Sequence, residues 1–207
     1  MKFIHKILPK FYDSIDFIYF GSGDKNPRNR MVSILPKEKI KVLDICTGTG
    51  KNPVLISSYN SNAEVIGIDI SKDMLKVANK KIKNNKNIKL LRMDASNMSF
   101  EEKTFDAAII SLVLHEMNDK YINKIICEAK RVTKENGQII IVEWRKELSL
   151  IKRILFYPIK KIEPKGFEEV IEYKIIEFTK QWNLKIDKIF DCNYTQVISL
   201  RKQILNK

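Results

Sequence analysis

Apolar residues fall in short runs rich in β-branched side chains, separated by longer stretches with helical periodicity. Strands are predicted near 41–46, 64–69, 88–93, 105–111 and 138–144, and helices near 52–60, 72–84 and 118–134. Ser71 is a good N-cap for the second of these helices. Asn136-Gly137 reads as a helix-to-strand turn. Alternation of strand and helix predicts a parallel α/β sheet. The end of the chain changes character. A helix is predicted over roughly 165–182, followed by strands Leu184–Asp191 and Thr195–Arg201 with only Cys192-Asn193-Tyr194 between them. So short a connection forces an antiparallel hairpin.

No internal repeat and no Gly/Ser- or Pro-rich linker divides the chain, so a single domain over 1–207 is expected. Its core would be 39–144. Residues 1–38 would form an N-terminal helical cap, 145–166 a lid, and 167–207 the last helix and hairpin.

The chemistry gathers at strand ends. The run Lys41-Val42-Leu43-Asp44-Ile45-Cys46 passes into Thr47-Gly48-Thr49-Gly50, a turn with two glycines. A second strand-like run, Val65-Ile66-Gly67-Ile68-Asp69, also ends in an acid. This is the grammar of a nucleotide-type cofactor site at the carboxyl edge of a parallel sheet. Glycine lets the backbone approach a ligand closely. A carboxylate at Asp69 can accept from both hydroxyls of a ribose. The spacing D-x-x-x-G-x-G is not the dinucleotide motif. It is not a P-loop either, because Gly50-Lys51 is followed by Asn52.

The pattern resembles class I S-adenosylmethionine-dependent methyltransferases, nearest to small-molecule members of ubiquinone and menaquinone biosynthesis. The match stays in register through Ser71-Lys72-Asp73-Met74-Leu75, Met93-Asp94-Ala95, Phe105-Asp106 and Leu114-His115-Glu116. The resemblance implies a seven-stranded Rossmann-like sheet, mostly parallel with a C-terminal antiparallel hairpin, and S-adenosyl-L-methionine as cofactor. It implies that Asp44, Cys46, Thr47, Gly48, Thr49, Gly50 and Asn52 form the turn around the methionine part. The family commonly has glycine where Cys46 stands. Asp69 would take the ribose, Ile70 and Met74 the adenine face, and Asp94 with Ala95 the adenine edge. Ser111 and Leu112 would lie beside the methylsulfonium, and Tyr12 and Tyr19 would close over the cofactor. The Asn/Asp-Pro-Pro-Tyr motif of nucleobase N-methyltransferases is absent, which argues against a nucleic-acid acceptor. His115, one of two histidines, is a candidate general base or a residue that shapes the pocket. Glu143 is a candidate base or ammonium partner, and Glu116 is expected to face solvent.

Composition adds limits. The 207 residues are 44% hydrophobic and 30% charged, ordinary for a globular protein. No secretory signal or spanning segment is visible, so a cytoplasmic location is expected. Three widely spaced cysteines, Cys46, Cys127 and Cys192, form no C-x-x-C pair, so neither zinc nor a disulfide framework is expected. The net charge of +13 fits attraction to nucleic acid, attraction to an anionic membrane, or a lysine-rich composition, and lysines spread over every helix favour the last. In 146–157, Leu148, Leu150, Ile151, Ile154 and Leu155 share one helical side, opposite Lys146, Lys152 and Arg153. This segment reads as a lid, or as a helix lying on an anionic bilayer. A small, apolar or lipid-like methyl acceptor fits either reading. A phospholipid or amine N-methyltransferase and a non-catalytic S-adenosylmethionine-binding module are the alternatives.

Overall fold

The computed structural model describes residues 20–145, 175 and 179–203. The expected closing tyrosines, Tyr12 and Tyr19, the segment 145–166 beyond Arg145, and most of the helix placed at 165–182 lie outside those residues.

Seven strands form one sheet among the described residues: β1 Lys41–Ile45, β2 Glu64–Asp69, β3 Ile88–Arg92, β4 Phe105–Ser111, β5 Thr133–Trp144, β6 Leu184–Asp191 and β7 Thr195–Lys202. Their order is β3-β2-β1-β4-β5-β7-β6. The first five pair in parallel, and β7 runs antiparallel to both β5 and β6. The mostly parallel sheet closed by an antiparallel hairpin is the one the sequence predicts.

The central strands are buried on both faces, which is why they read as continuous apolar runs. Alternate residues of one strand enter opposite cores: Leu43 and Ile45 join one cluster, Val42 the other. Helix α4, Asp119–Val132, covers the first face through Ile122, Ile125, Ile126 and Ala129. Helices α1, Pro27–Ser33, and α2, Lys51–Tyr59, cover the second through Met31, Val32 and Ile56. Helix α3, Lys72–Ile82, packs on β3 and α2. Ser71 caps α3 as expected, its hydroxyl accepting from the Met74 N–H at 3.3 Å.

The start of β5 differs from the sequence expectation. Thr133 already pairs with Phe105, and the next ladder pair is Ala107 with Gln138. Residues 134–137 therefore bulge out opposite the single residue Asp106, whose carboxylate accepts from Lys134 Nζ at 2.7 Å. Asn136 and Gly137, expected as a helix-to-strand turn, instead fall within β5 at this irregularity of its edge. Helix α4 ends at Val132 accordingly.

The hairpin tip also fixes the first described residues. Asn193 donates from its backbone to Lys25 O and from Nδ2 to Phe20 O, at 3.2 and 3.1 Å. Arg145 N–H bonds Tyr194 O at 2.9 Å. These contacts bring Phe20 against Trp144, with ring centroids 5.8 Å apart.

Candidate active site

Strand order reverses between β1 and β4, and crossovers leave for opposite faces of the sheet there. A crevice at the carboxyl ends of those strands follows from the topology. The cleft found there is lined on one side by Cys46, Thr47, Gly48 and Thr49 after β1, with Asp69 and Ile70 after β2. On the other side stand Ser111, Leu112 and Val113 after β4.

Both strands at the reversal end in left-handed backbone at residues other than glycine: Cys46 has φ 58° and Leu112 φ 53°. Such a conformation costs about 1–2 kcal/mol per residue and collects at functional sites. It also explains why glycine is common at the position of Cys46. The Cys46 thiol is held neutral at neutral pH, pushed far up by burial and then by the carboxylates of Asp69 and Asp44. A nucleophilic role is thereby disfavoured.

Two carboxylates hold the glycine turn. Asp44, fully buried, accepts from Thr47 Oγ1 at 2.5 Å and from Asn52 Nδ2 at 3.0 Å. The Asn52 side-chain oxygen in turn accepts from the Arg28 guanidinium. Asp69 Oδ2 accepts from the Gly48 N–H and its Oδ1 from the Ser71 N–H, each at 2.8 Å. The two glycines differ in purpose. Gly48 (φ 55°) has open space where a side chain would stand, so a side chain there would project without meeting protein. Gly50 (φ 77°) has Ala78 Cβ 2.9 Å from the place its own Cβ would occupy, so it lets α3 close on the turn.

Asp44 and Gly50 therefore support the cleft from behind, while Thr47, Gly48, Thr49 and Asn52 line it. Ile70, 54% exposed, and Met74 line it too, with Met93 and Ala95. Asp94 sits just outside, its Oδ1 accepting from the Tyr121 hydroxyl at 2.6 Å and the Ser96 N–H at 2.8 Å. The Tyr121 bond is the main reason its carboxyl is held below the ordinary value. Ser111 Oγ is buried and has no hydrogen-bond partner among the described residues.

Beyond the β4 end the cleft becomes apolar, walled by Phe20, Leu112, Val113, Met117 and Trp144. His115 is the buried titratable group of that chamber. Its Nδ1 lies 2.7 Å from Glu143 Oε1. Glu143 is fully buried and accepts as well from the N–H groups of Leu114 and Trp144, both at 3.1 Å. Glu143 thus stands behind His115 and does not line the cleft. Glu116 is half-buried and lines the cleft, where solvent exposure was expected.

The residues that pattern reading missed come from elsewhere in the chain. Arg28 arrives on α1, Phe20 through the hairpin tip, and Tyr121 on the first turn of α4. Only Tyr121 had a local signal: Asn118 caps that helix, so its first turn must sit at the carboxyl edge beside β4.

Residues 42–137 match the family model described as "Methyltransferase domain". This part of the chain belongs with the class I S-adenosylmethionine-dependent methyltransferases. Among curated relatives of this chain is the demethylmenaquinone methyltransferase of Staphylococcus carnosus, 34% identical over 145 residues, which are 68% of this chain and 59% of the relative. The demethylmenaquinone methyltransferase of Thermotoga maritima is 32% identical over 144 residues, 69% of this chain and 60% of the relative. The matched part thus spans about three fifths of these relatives' length. The methyltransferase fold extends further. A SAM-dependent methyltransferase from Aquifex aeolicus superposes with a TM-score of 0.70 at 20% identity, covering 94% of this chain and 98% of that one. The PH0226 protein of Pyrococcus horikoshii gives 0.72 at 22%, covering 96% and 98%.

Burial pushes the Asp44 carboxyl up to about 6, against its bonds from Thr47 and Asn52 and the charge of Arg28. A raised folded value means stability present below the unfolded value, near 4, and lost as pH rises through about 6. Asp44→Asn keeps both bonds, since an amide can accept from Asn52 and donate to Thr47 Oγ1. Relative to the parent, this variant should gain on the order of 2 kcal/mol between pH 4 and pH 8. Urea unfolding at both pH values tests this; a constant difference would show that Asp44 does not titrate in that window.

Proposed function

We propose that this chain transfers a methyl group from S-adenosylmethionine to a small apolar acceptor of the quinone-precursor type. The observation that carries the reading is the composition of one cleft. A carboxylate and an open glycine, Asp69 and Gly48, lie at one end, and an apolar chamber around His115 at the other. The relatives named demethylmenaquinone methyltransferases support the acceptor class.

The site residues fit the cofactor. Asp69 lines the cleft with a carboxylate, the group type that accepts from ribose hydroxyls, Ile70 and Met74 offer apolar surface to a base, and Ser111 Oγ is buried without a hydrogen-bond partner among the described residues. Arg28, on the cleft wall beside the glycine turn, would take a carboxylate. When bound, the cofactor supplies an activated methyl group for in-line displacement. The chain's task is then to hold the acceptor in line and keep water out. Phe20, Trp144 and Leu112 do both in this reading.

His115 supplies the proton chemistry. A bond from Nδ1–H to Glu143 sets the tautomer that leaves the lone pair on Nε2. That nitrogen takes the proton of an acceptor hydroxyl as the methyl bond forms. Glu143 acts through His115, as the buried side chain that orients the ring.

Contact with an anionic membrane, from which an apolar acceptor would be delivered, rests here on the cleft's rim. Exposed Ile70 is flanked by Arg92, which bonds its carbonyl at 3.1 Å, and Lys51 lines the same cleft. No helix among the described residues is long and apolar enough to cross a membrane.

Asp69→Ala should weaken binding of S-adenosylmethionine more than tenfold, because buried hydroxyls lose a charged partner. Calorimetry giving the parent affinity would remove Asp69 from the ribose. His115→Ala should lower kcat toward a naphthoquinol acceptor at least about a hundredfold, with cofactor affinity within about twofold of the parent. Glu143→Gln should lower kcat about tenfold. If His115→Ala turns over like the parent, the histidine only shapes the pocket.

A further inference from the structure

Arg28, in the first turn of α1, lines the cleft and touches one residue from each of its two ends. Its guanidinium donates to the side-chain oxygen of Asn52, whose amide is held by Asp44 behind the glycine turn. Its Cζ lies over the Phe20 ring, 5.7 Å from the centroid. Phe20 packs in turn on Trp144 at 5.8 Å between centroids, and Trp144 on His115 at 6.4 Å. A continuous row of side chains therefore runs Asn52, Arg28, Phe20, Trp144, His115, from the glycine turn to the apolar chamber, and all five line the cleft. The backbone of Phe20 is fixed from the other side. Asn193 Nδ2 donates to its carbonyl at 3.1 Å, and a Cβ on Gly21 (φ 64°) would stand 2.6 Å from that nitrogen. What remains for Arg28 to set is the placement of the Phe20 ring.

We propose that Arg28 is a positioning residue that makes cofactor and acceptor bind cooperatively: the carboxylate of the cofactor's methionine part fixes the guanidinium, and the guanidinium fixes the Phe20 wall of the acceptor chamber. This rests on the cofactor and acceptor reading above and adds a coupling between the two ends of the cleft. A guanidinium makes two kinds of contact at once. Its edge donates in-plane hydrogen bonds, and its face rests on an aromatic ring. A carboxylate taken on the edge therefore immobilises Arg28 without lifting it off Phe20. A wall ordered in advance spares the acceptor the cost of ordering it. The coupling is reciprocal, so the acceptor tightens the cofactor by the same factor.

The test is calorimetry on the full chain with S-adenosylhomocysteine, which has no methyl group to transfer, and 1,4-naphthoquinol under reducing conditions. S-adenosylhomocysteine should tighten naphthoquinol binding about fivefold, the size of one cation–aromatic contact. 5′-Methylthioadenosine keeps the nucleoside and lacks the carboxylate, so it should tighten naphthoquinol less than about twofold. Arg28→Lys keeps the charge without the planar edge and face, and Phe20→Leu removes the ring. In each, the effect of S-adenosylhomocysteine on naphthoquinol should fall below about twofold. A residue that only supports the fold would weaken both ligands and leave the coupling as it is. Equal coupling by the two nucleosides in the parent overturns the inference, and that comparison needs no variant to fold. Full coupling in Arg28→Lys or Phe20→Leu overturns it too. A parent that binds S-adenosylhomocysteine and naphthoquinol independently overturns the inference and leaves the cofactor reading standing. A parent that binds S-adenosylhomocysteine but never naphthoquinol overturns the inference together with the acceptor class. A parent that does not bind S-adenosylhomocysteine removes the inference and the cofactor reading.

Discussion

The Asp69 carboxylate holds the backbone N–H of Gly48 on one oxygen and that of Ser71 on the other. One side chain at the end of β2 thereby ties the glycine turn after β1 to the start of α3. Without it, two part-buried N–H groups would lose their acceptor and the mutual position of turn and helix would be unspecified. In the proposed reading the same carboxylate takes the ribose of the cofactor. The architecture of the cleft and its chemistry therefore depend on the same two oxygens. Asp44 repeats the arrangement one layer deeper, where burial raises the carboxyl to about 6 and only Thr47, Asn52 and Arg28 offset the cost.

Around this anchor the fold stores strain where its topology reverses. Cys46 and Leu112 both take left-handed backbone at the ends of neighbouring strands. Leu112 is held there by its N–H bond to Val142 O at 2.8 Å, and it lines the cleft. A bulky residue in that region persists only when its surroundings over-determine it. Here they do: β5 lies on one side, and the chamber shared with Phe20 and Trp144 on the other. The cost is local, and the result is a backbone that turns its side chains into the crevice at the switch point.

The parts of the site legible in the sequence are those next to strand ends. Asp44, Gly48, Gly50 and Asp69 follow from where apolar runs stop, because a parallel sheet places those stops at one edge, and Ala95, Ser111 and His115 are added by the family resemblance. Residues delivered by tertiary contact are not legible that way. The bond from Asn193 to the Phe20 carbonyl spans 173 positions. The pairing of His115 with Glu143 spans 28 and depends on β4 and β5 being neighbours. Glu143 reads as a substrate-facing strand end, and only packing shows that its carboxylate is covered by Leu114, His115 and Trp144. The start of β5 is hidden from the sequence for a similar reason. Residues 134–137 look like a turn, and the pairing of Thr133 with Phe105 before them has no sequence mark.

The central claim is that the β1/β4 crevice grips an adenosyl sulfonium by its sugar while the apolar chamber receives the acceptor. The most direct measurement is a crystal structure of the chain grown with S-adenosylhomocysteine. The account predicts the ribose hydroxyls on Asp69, the sulfur between Gly48 and Ser111, and the thioether directed toward the chamber of Phe20, His115 and Trp144. An empty crevice at saturating ligand, or the ligand seated elsewhere on the molecule, would contradict it.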